Sequence, residues 1–170
     1  LHDALPIYTG GYTPFSFDIT AALNKGVNKL LVKVWDPTDK GYQPRGKQVN
    51  KPDGIWYTPV TGIWQTVWLE PVAEKYVGNL RITPDIDNSL LIVKADLNEA
   101  SASDLVAVGV YDGKQLVATG KSINGEQVEV SMPKDAKLWS PQSPFLYSLK
   151  VTLSHNGKQI DQVSSYAAMR

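Results

Sequence analysis

The sequence predicts an all-β chain, and three observations carry that expectation. No window sustains helical periodicity. Valine, isoleucine, threonine and aromatic residues instead alternate with polar ones, and turn residues recur at short intervals. The 170 residues leave room for one large β domain or two smaller ones. A hydrophobic content of 42% is enough for a packed core.

The first part runs to about Val72. Phe15, Phe17 and Ile19 alternate with Ser16, Asp18 and Thr20, which predicts a half-buried strand. Thr20 is placed to cap a single helical turn over 21–24, closed near Gly26. LLVKVW, residues 30–35, predicts a strand whose Leu30, Val32 and Val34 share a face. Residues 36–53, DPTDKGYQPRGKQVNKPD, turn irregular, and long loops without structure of their own in compact domains are usually functional or mobile. The stretch GIWYTPVTGIWQTVWLEPV follows and holds three of the five tryptophans. Its 62–70 segment predicts a strand apolar on both faces, Ile63, Val67 and Leu69 on one and Trp64 and Trp68 on the other. On that pattern Trp64 and Trp68 are expected to pack, and Trp56 is left open.

The loop around 71–75 is the expected domain boundary. The roughly hundred residues beyond it match the size of an immunoglobulin-like sandwich. Seven strands are expected, near 79–86, 89–98, 104–111, 115–121, 127–132, 146–154 and 158–166. Asp112-Gly113, Asn124-Gly125 and Asn156-Gly157 are tight-hairpin signals, since such pairs accept positive φ. Tyr147, Leu149, Val151 and Leu153 give the cleanest period-two signal in the chain. Pro141 and Pro144 precede that strand, where a missing N–H does no harm.

Composition removes several function classes. Seventeen basic residues balance seventeen acidic ones, which argues against a nucleic-acid footprint. The absence of cysteine excludes a disulfide framework and a thiolate metal site. No run approaches a membrane span. His2 and His155 lack metal-ligand spacing, and His155 is expected to be a solvated turn residue. Glu99, Glu126 and Glu129 sit in polar contexts and read as surface. Neither a phosphate loop nor a nucleophile elbow is present. The 36–53 loop is the better candidate, because Asp36, Asp39, Arg45, Lys47, Gln48 and Asp53 can all hydrogen-bond hydroxyl groups. Composition alone still favours an ordinary polar surface loop.

GGYTPFSFDIT, then LLVKVWDPTD, then GIWQTVWLEPV resembles the second half of the sugar-binding jelly-roll domain of glycoside hydrolase family 2, the β-galactosidases, β-glucuronidases and β-mannosidases. LWSPQSPFLYSLKVTL and the closing SSYAAMR resemble the end of that family's immunoglobulin-like second domain. The resemblance covers nearly the whole chain from about Gly10, in the right order. It implies a partial, galactose-binding-like jelly-roll sandwich over 10–72 followed by an immunoglobulin-like β-sandwich over 73–170. Residues 1–9 are expected to be a non-native leader, since LHDALPI resembles translated sequencing-adapter sequence. The ending departs from the family's more usual Tyr-Phe-Gly-Met-Arg pattern but keeps Arg170.

The family's two catalytic glutamates lie in a (β/α)₈ barrel that would begin where this chain ends. In a retaining enzyme their carboxyl groups stand about 5–5.5 Å apart. The resemblance therefore implies no catalytic residue and no metal ligand in this chain. It implies no cofactor here either, a sodium or divalent ion belonging to the complete enzyme. The implied partners are a β-glycoside and the missing C-terminal barrel of the same protein, with no nucleic acid and no membrane. Asp36 best matches the aspartate that reaches the sugar, and Asp39, Arg45, Gln48 and Trp56 complete the expected substrate contacts. Two other readings stand beside this one. A free-standing carbohydrate-binding module would need Trp56, Trp64 or Trp68 strongly exposed. A structural or adhesive sandwich would leave Asp36, Asp39 and Arg45 scattered. Nothing in the sequence chooses the sugar, the oligomeric state or the compartment.

Overall fold

The computed structural model describes residues 6–170, so His2 and most of the expected leader lie outside the described residues. The chain divides into two compact units, one ending at Leu69 and the other running Glu70–Arg170.

The second unit is a sandwich of two antiparallel sheets. Its strands are β1 (Val77–Asp85), β2 (Leu90–Leu97), β3 (Asp104–Asp112), β4 (Gln115–Ile123), β5 (Val128–Ser131), β6 (Tyr147–His155) and β7 (Lys158–Ala167). All seven fall within a few residues of the expected spans. One sheet has the order β1-β2-β5 and the other β4-β3-β6-β7. In the constant-type immunoglobulin arrangement the fourth strand belongs to the first sheet. Here β4 pairs with β3 instead, from Leu105 opposite Ile123 to Asp112 opposite Gln115.

Alternation explains the core. Leu91, Val93 and Ala95 of β2, Val106, Val108 and Val110 of β3, Val128 and Val130 of β5, and Leu149, Val151 and Leu153 of β6 are all buried between the sheets. Each buried valine or leucine contributes roughly 1.5–3 kcal/mol relative to its exposed state. Gly120 of β4 lets the sheets approach: a Cβ there would meet Val128 Cγ1 at 2.8 Å and the Glu129 carbonyl at 2.9 Å. At one end of β6, the buried Tyr147 hydroxyl accepts from the Lys137 amide at 2.7 Å. This is a tyrosine-corner arrangement that pins the connection ahead of the strand. Met169 is fully buried, and the Arg170 guanidinium lies 4.9 Å from the Trp139 ring centroid.

Two of the three turn signals make hairpins. Asn156 and Gly157 both have positive φ between β6 and β7, the mark of a type I′ turn. Gly113 alone has positive φ between β3 and β4, as a type II′ turn requires of its first central residue. Asn124 and Gly125 also adopt positive φ, but they carry the chain from β4 in one sheet to β5 in the other. The dipeptide fixes a turn, and which strands it joins depends on where the next apolar face is buried.

The first unit differs from expectation. Among its described residues, regular structure is limited to a 3-10 turn, Thr20–Ala22, and an isolated bridge between Gln48 and Tyr57. Residues 15–20, 30–35 and 62–70 enter no ladder. The turn is not capped by a Thr20 side chain; Thr20 lies inside it, and its amide donates to the Asp18 carboxylate at 2.8 Å. A strand exists only through its pairing, and a period-two face stays open unless a second layer covers it. Trp64 and Trp68 are accordingly 68% and 71% exposed rather than packed. The Trp64 indole N–H donates to the Gly11 carbonyl at 2.9 Å.

Candidate functional site

The polar loop of the first unit folds on itself through its own side chains. Asp36 opens it with an Asx turn, one carboxylate oxygen accepting from the Thr38 amide at 2.7 Å. The other accepts from the Thr61 hydroxyl at 3.2 Å. Thr38 is buried and has φ of 57°, a left-handed conformation that a β-branched residue rarely adopts. Its carbonyl is held by the Gln43 side-chain amide at 2.8 Å. The far side of the loop is fixed by the bridge between Gln48 and Tyr57 and by the Gln48 side-chain Oε1, which accepts from the Val60 amide at 2.6 Å.

These bonds gather Asp36, Arg45 and Gln48 around one recess of about 70 Å³, together with Tyr12, Thr38 and Pro44. A water occupies about 30 Å³ of liquid, so the recess takes about two waters or the edge of a larger molecule. It has an acceptor in Asp36 and a donor in Arg45, the pair a vicinal diol can bridge. The other two expected residues stand apart from it. Asp39 is a staple: its carboxylate accepts from both the backbone and the side-chain amide of Asn50, and its carbonyl accepts from Arg45 at 3.2 Å. The Asn50 backbone hydrogen bond, first among several contacts, holds the Asp39 pKa below its ordinary value. Trp56 lies beside Arg45, whose guanidinium carbon is 5.9 Å from the ring centroid.

Tyr12 and Thr38 were not among the expected residues. A tyrosine after two glycines carries no functional signal by itself, and a positive φ at threonine is unreadable in sequence.

A second polar cluster lies in the sandwich, and it corrects the reading of His155. Asp104, 1% exposed, accepts from Lys75 Nζ at 3.1 Å, from the Ser101 amide at 2.7 Å and from His155 Nδ1 at 2.6 Å. Burial raises the Asp104 pKa, but the bonds from His155, Lys75 and Ser101 outweigh it and hold the carboxyl at about 2. An ionised carboxylate only accepts, so Nδ1 of His155 carries the proton. His155 is thus a structural partner rather than a free turn residue. The three partners lie 29, 3 and 51 positions from Asp104, so no local pattern announces the cluster. No group of three or more His, Cys, Asp or Glu side chains suited to a metal ion occurs among the described residues.

Comparison with known proteins gives three findings. A family model described as "Glycosyl hydrolases family 2" matches residues 75–170. A Formosa agariphila protein named "Putative beta-glucuronidase" is 28% identical over 96% of this chain and 20% of the relative. A "Beta-galactosidase" from Halalkalibacterium halodurans is 29% identical over 94% of this chain and 16% of the relative. The chain thus spans a fifth or less of the length of these two curated relatives. Among solved structures, an FMN-binding β-glucuronidase from Facaelibacterium prausnitzii L2-6 is similar over 57% of this chain and 17% of its own, with a TM-score of 0.48 and 17% identity.

Proposed function

The chain belongs to the glycosyl hydrolases of family 2, and from that premise we propose that it is the non-catalytic N-terminal part of a retaining β-glycosidase. The first unit presents the 36–53 loop to a sugar, and the second is a spacer sandwich. The observation that carries the proposal is the convergence of Asp36, Arg45 and Gln48 on one recess beside the strained Thr38. Left-handed backbone at a β-branched residue costs on the order of 1–3 kcal/mol and tends to be kept where a site needs its geometry. Asp36 accepts from a sugar hydroxyl, Arg45 donates to a neighbouring oxygen, and the recess admits one edge of the ring. Asp39 acts through the loop, and Trp56 flanks Arg45.

The purified chain should release no nitrophenol from β-galactosides, β-glucuronides or β-mannosides, and measurable turnover would overturn the non-catalytic assignment. In the complete enzyme, Asp36→Ala should lower kcat/KM by about ten- to a hundredfold, well beyond any loss of stability from its bonds to Thr38 and Thr61. Unchanged kinetics would show that the sugar contact lies elsewhere.

The exposure of Trp64 and Trp68 meets the requirement of the alternative, a free-standing carbohydrate-binding module. It does not discriminate, however. Leu30, Leu31, Trp35 and Leu69 are equally open in the same unit, so exposure there follows from an unpaired backbone. A binding platform would set its aromatics on a packed floor.

A further inference from the structure

We propose that the outer face of the β4-β3-β6-β7 sheet binds an acidic oligosaccharide, a glycan whose carboxylate or sulfate groups reach Lys121 and Lys150. The proposal rests on the reading of the chain as part of a carbohydrate-active protein, but it concerns a place other than the 36–53 loop.

The face carries a groove of about 480 Å³, within the range of small-molecule sites. The strand registers explain its shape. Lys121, Ala107 and Thr152 form one row across β4, β3 and β6, and Thr119, Gly109 and Lys150 form the next. The middle strand contributes alanine and glycine to these rows, so the centre is low. The outer strands contribute threonine and lysine, so the rims are high and hydrogen-bonding. Tyr111 closes one end on the same face. The floor depends on Gly109, since a Cβ there would meet the Tyr111 ring at 3.0 Å and Leu116 Cδ1 at 3.3 Å.

Charge then selects the ligand. Neither lysine has a hydrogen-bond or salt-bridge partner among the described residues, and no acidic side chain lines the groove. The acidic residue at the end of β3, Asp112, is held by Lys137 at 2.5 Å. Lys121 and Lys150 stand two strands and one row apart, about 12 Å between backbones at ordinary sheet spacings. One small anion does not bridge that distance, whereas successive charges along an oligomer do. Thr119 and Thr152 beside them suit sugar hydroxyls, and Tyr111 offers an aromatic face for a ring. The balanced charge of the chain gives no basic excess for a nucleic acid.

The test is titration of the isotope-labelled 170-residue chain with a galacturonate tetramer, followed by amide NMR. Saturable shifts should be confined to the neighbourhood of Gly109, Tyr111, Thr119 and Thr152. Lys121→Met combined with Lys150→Met should weaken binding by at least about tenfold, and rising ionic strength should weaken it in the unaltered chain. Cellotetraose, a neutral tetramer, should shift nothing there. Competition by a sulfated oligosaccharide would assign the site to acidic glycans generally, and its failure to compete would narrow the site to carboxylates. Undiminished affinity in the double variant, or equal shifts with cellotetraose, would overturn the proposal. Equal affinity for a linear polyphosphate would overturn its carbohydrate part. Asp36→Ala should leave the titration unchanged, which separates failure of this site from failure of the loop assignment.

Discussion

Trp68 and Leu153 both sit in segments whose sequence predicts a strand, yet Trp68 is 71% exposed and Leu153 fully buried. The difference lies in what surrounds the segments. Leu153 belongs to a strand paired on both sides, by β3 and by β7, with a second sheet across from it. Trp68 belongs to a segment with no ladder partner among the described residues. An alternating pattern states which face would be buried, and pairing plus a second layer decide whether it is. Every strand of the sandwich has its ladder partners within Glu70–Arg170. The first unit holds its shape largely through side-chain bonds to loop backbone, as at Asp36, Gln43 and Gln48.

The contrast is broken most severely by removing matched side chains from the two regions. Leu153→Ala should cost about 2–5 kcal/mol, because it takes buried methyls from a core that cannot fully collapse. Leu69→Ala, the same truncation at a 72% exposed leucine, should change stability by less than about 0.5 kcal/mol, as exposed substitutions do. Urea unfolding measures both, with far-ultraviolet dichroism of the β signal for the sandwich and tryptophan fluorescence for the first unit, which holds four of the five tryptophans. A comparable loss at Leu69 would mean that the leucine supports the fold after all.

Asp104→Asn sharpens the contrast within the sandwich. It should destabilise by about 2 kcal/mol, because the variant keeps its shape but leaves Lys75 without its anion. The pH dependence provides a second measurement. A free aspartate titrates near 3.9, whereas folded Asp104 is held at about 2. The folded value is the lower one, so the group stabilises fully above about pH 4 and its contribution is lost as pH falls through about 2. The urea midpoint should therefore fall across that window, and the variant should flatten the fall. Part of the slope should survive, because hydrogen bonds from Asn88 to Asp85 and from Arg81 to Asp96 hold those carboxyls low as well. Identical pH profiles in both proteins would remove Asp104 from that role.

The sandwich was legible because its signals are local. Alternation in β6, the turn pairs at 112–113 and 156–157, and the seven strand spans can each be read within about ten residues. What escaped is non-local. The move of β4 into the β3 sheet, the sheet change at Asn124-Gly125 and the Asp104 cluster all depend on which distant segments meet. In the first unit, Asp36, Arg45 and Gln48 were legible as hydrogen-bonding residues in one loop. Their convergence rests on the Thr38 backbone and on bonds to Thr61 and Val60, which lie 25 and 12 positions from their partners. Asp39 looked equivalent to Asp36 by residue type, and only the Asn50 contacts separate a staple from a lining residue.

A smaller loss than at Leu153 or Asp104 is expected at the connection ahead of β6. Tyr147→Phe keeps the buried ring, its edge-on contact with Phe145 at 4.8 Å and the surrounding packing, and removes only the hydroxyl that accepts from the Lys137 amide. The cost should be about 1 kcal/mol, the net value of one hydrogen bond plus part of the penalty for a backbone N–H left short of a partner. The loss should also be local. Lys137 is otherwise held by its ammonium on Asp112 and over the Phe145 ring at 4.5 Å, contacts through its flexible side chain that leave the backbone free to move. Amide exchange at Lys137 should therefore accelerate more than exchange at Val151, in the middle of β6, whose protection reports opening of the whole sandwich. Equal acceleration at both would mean that the hydroxyl holds the sheets together, and that the corner is part of the core rather than a pin at its edge.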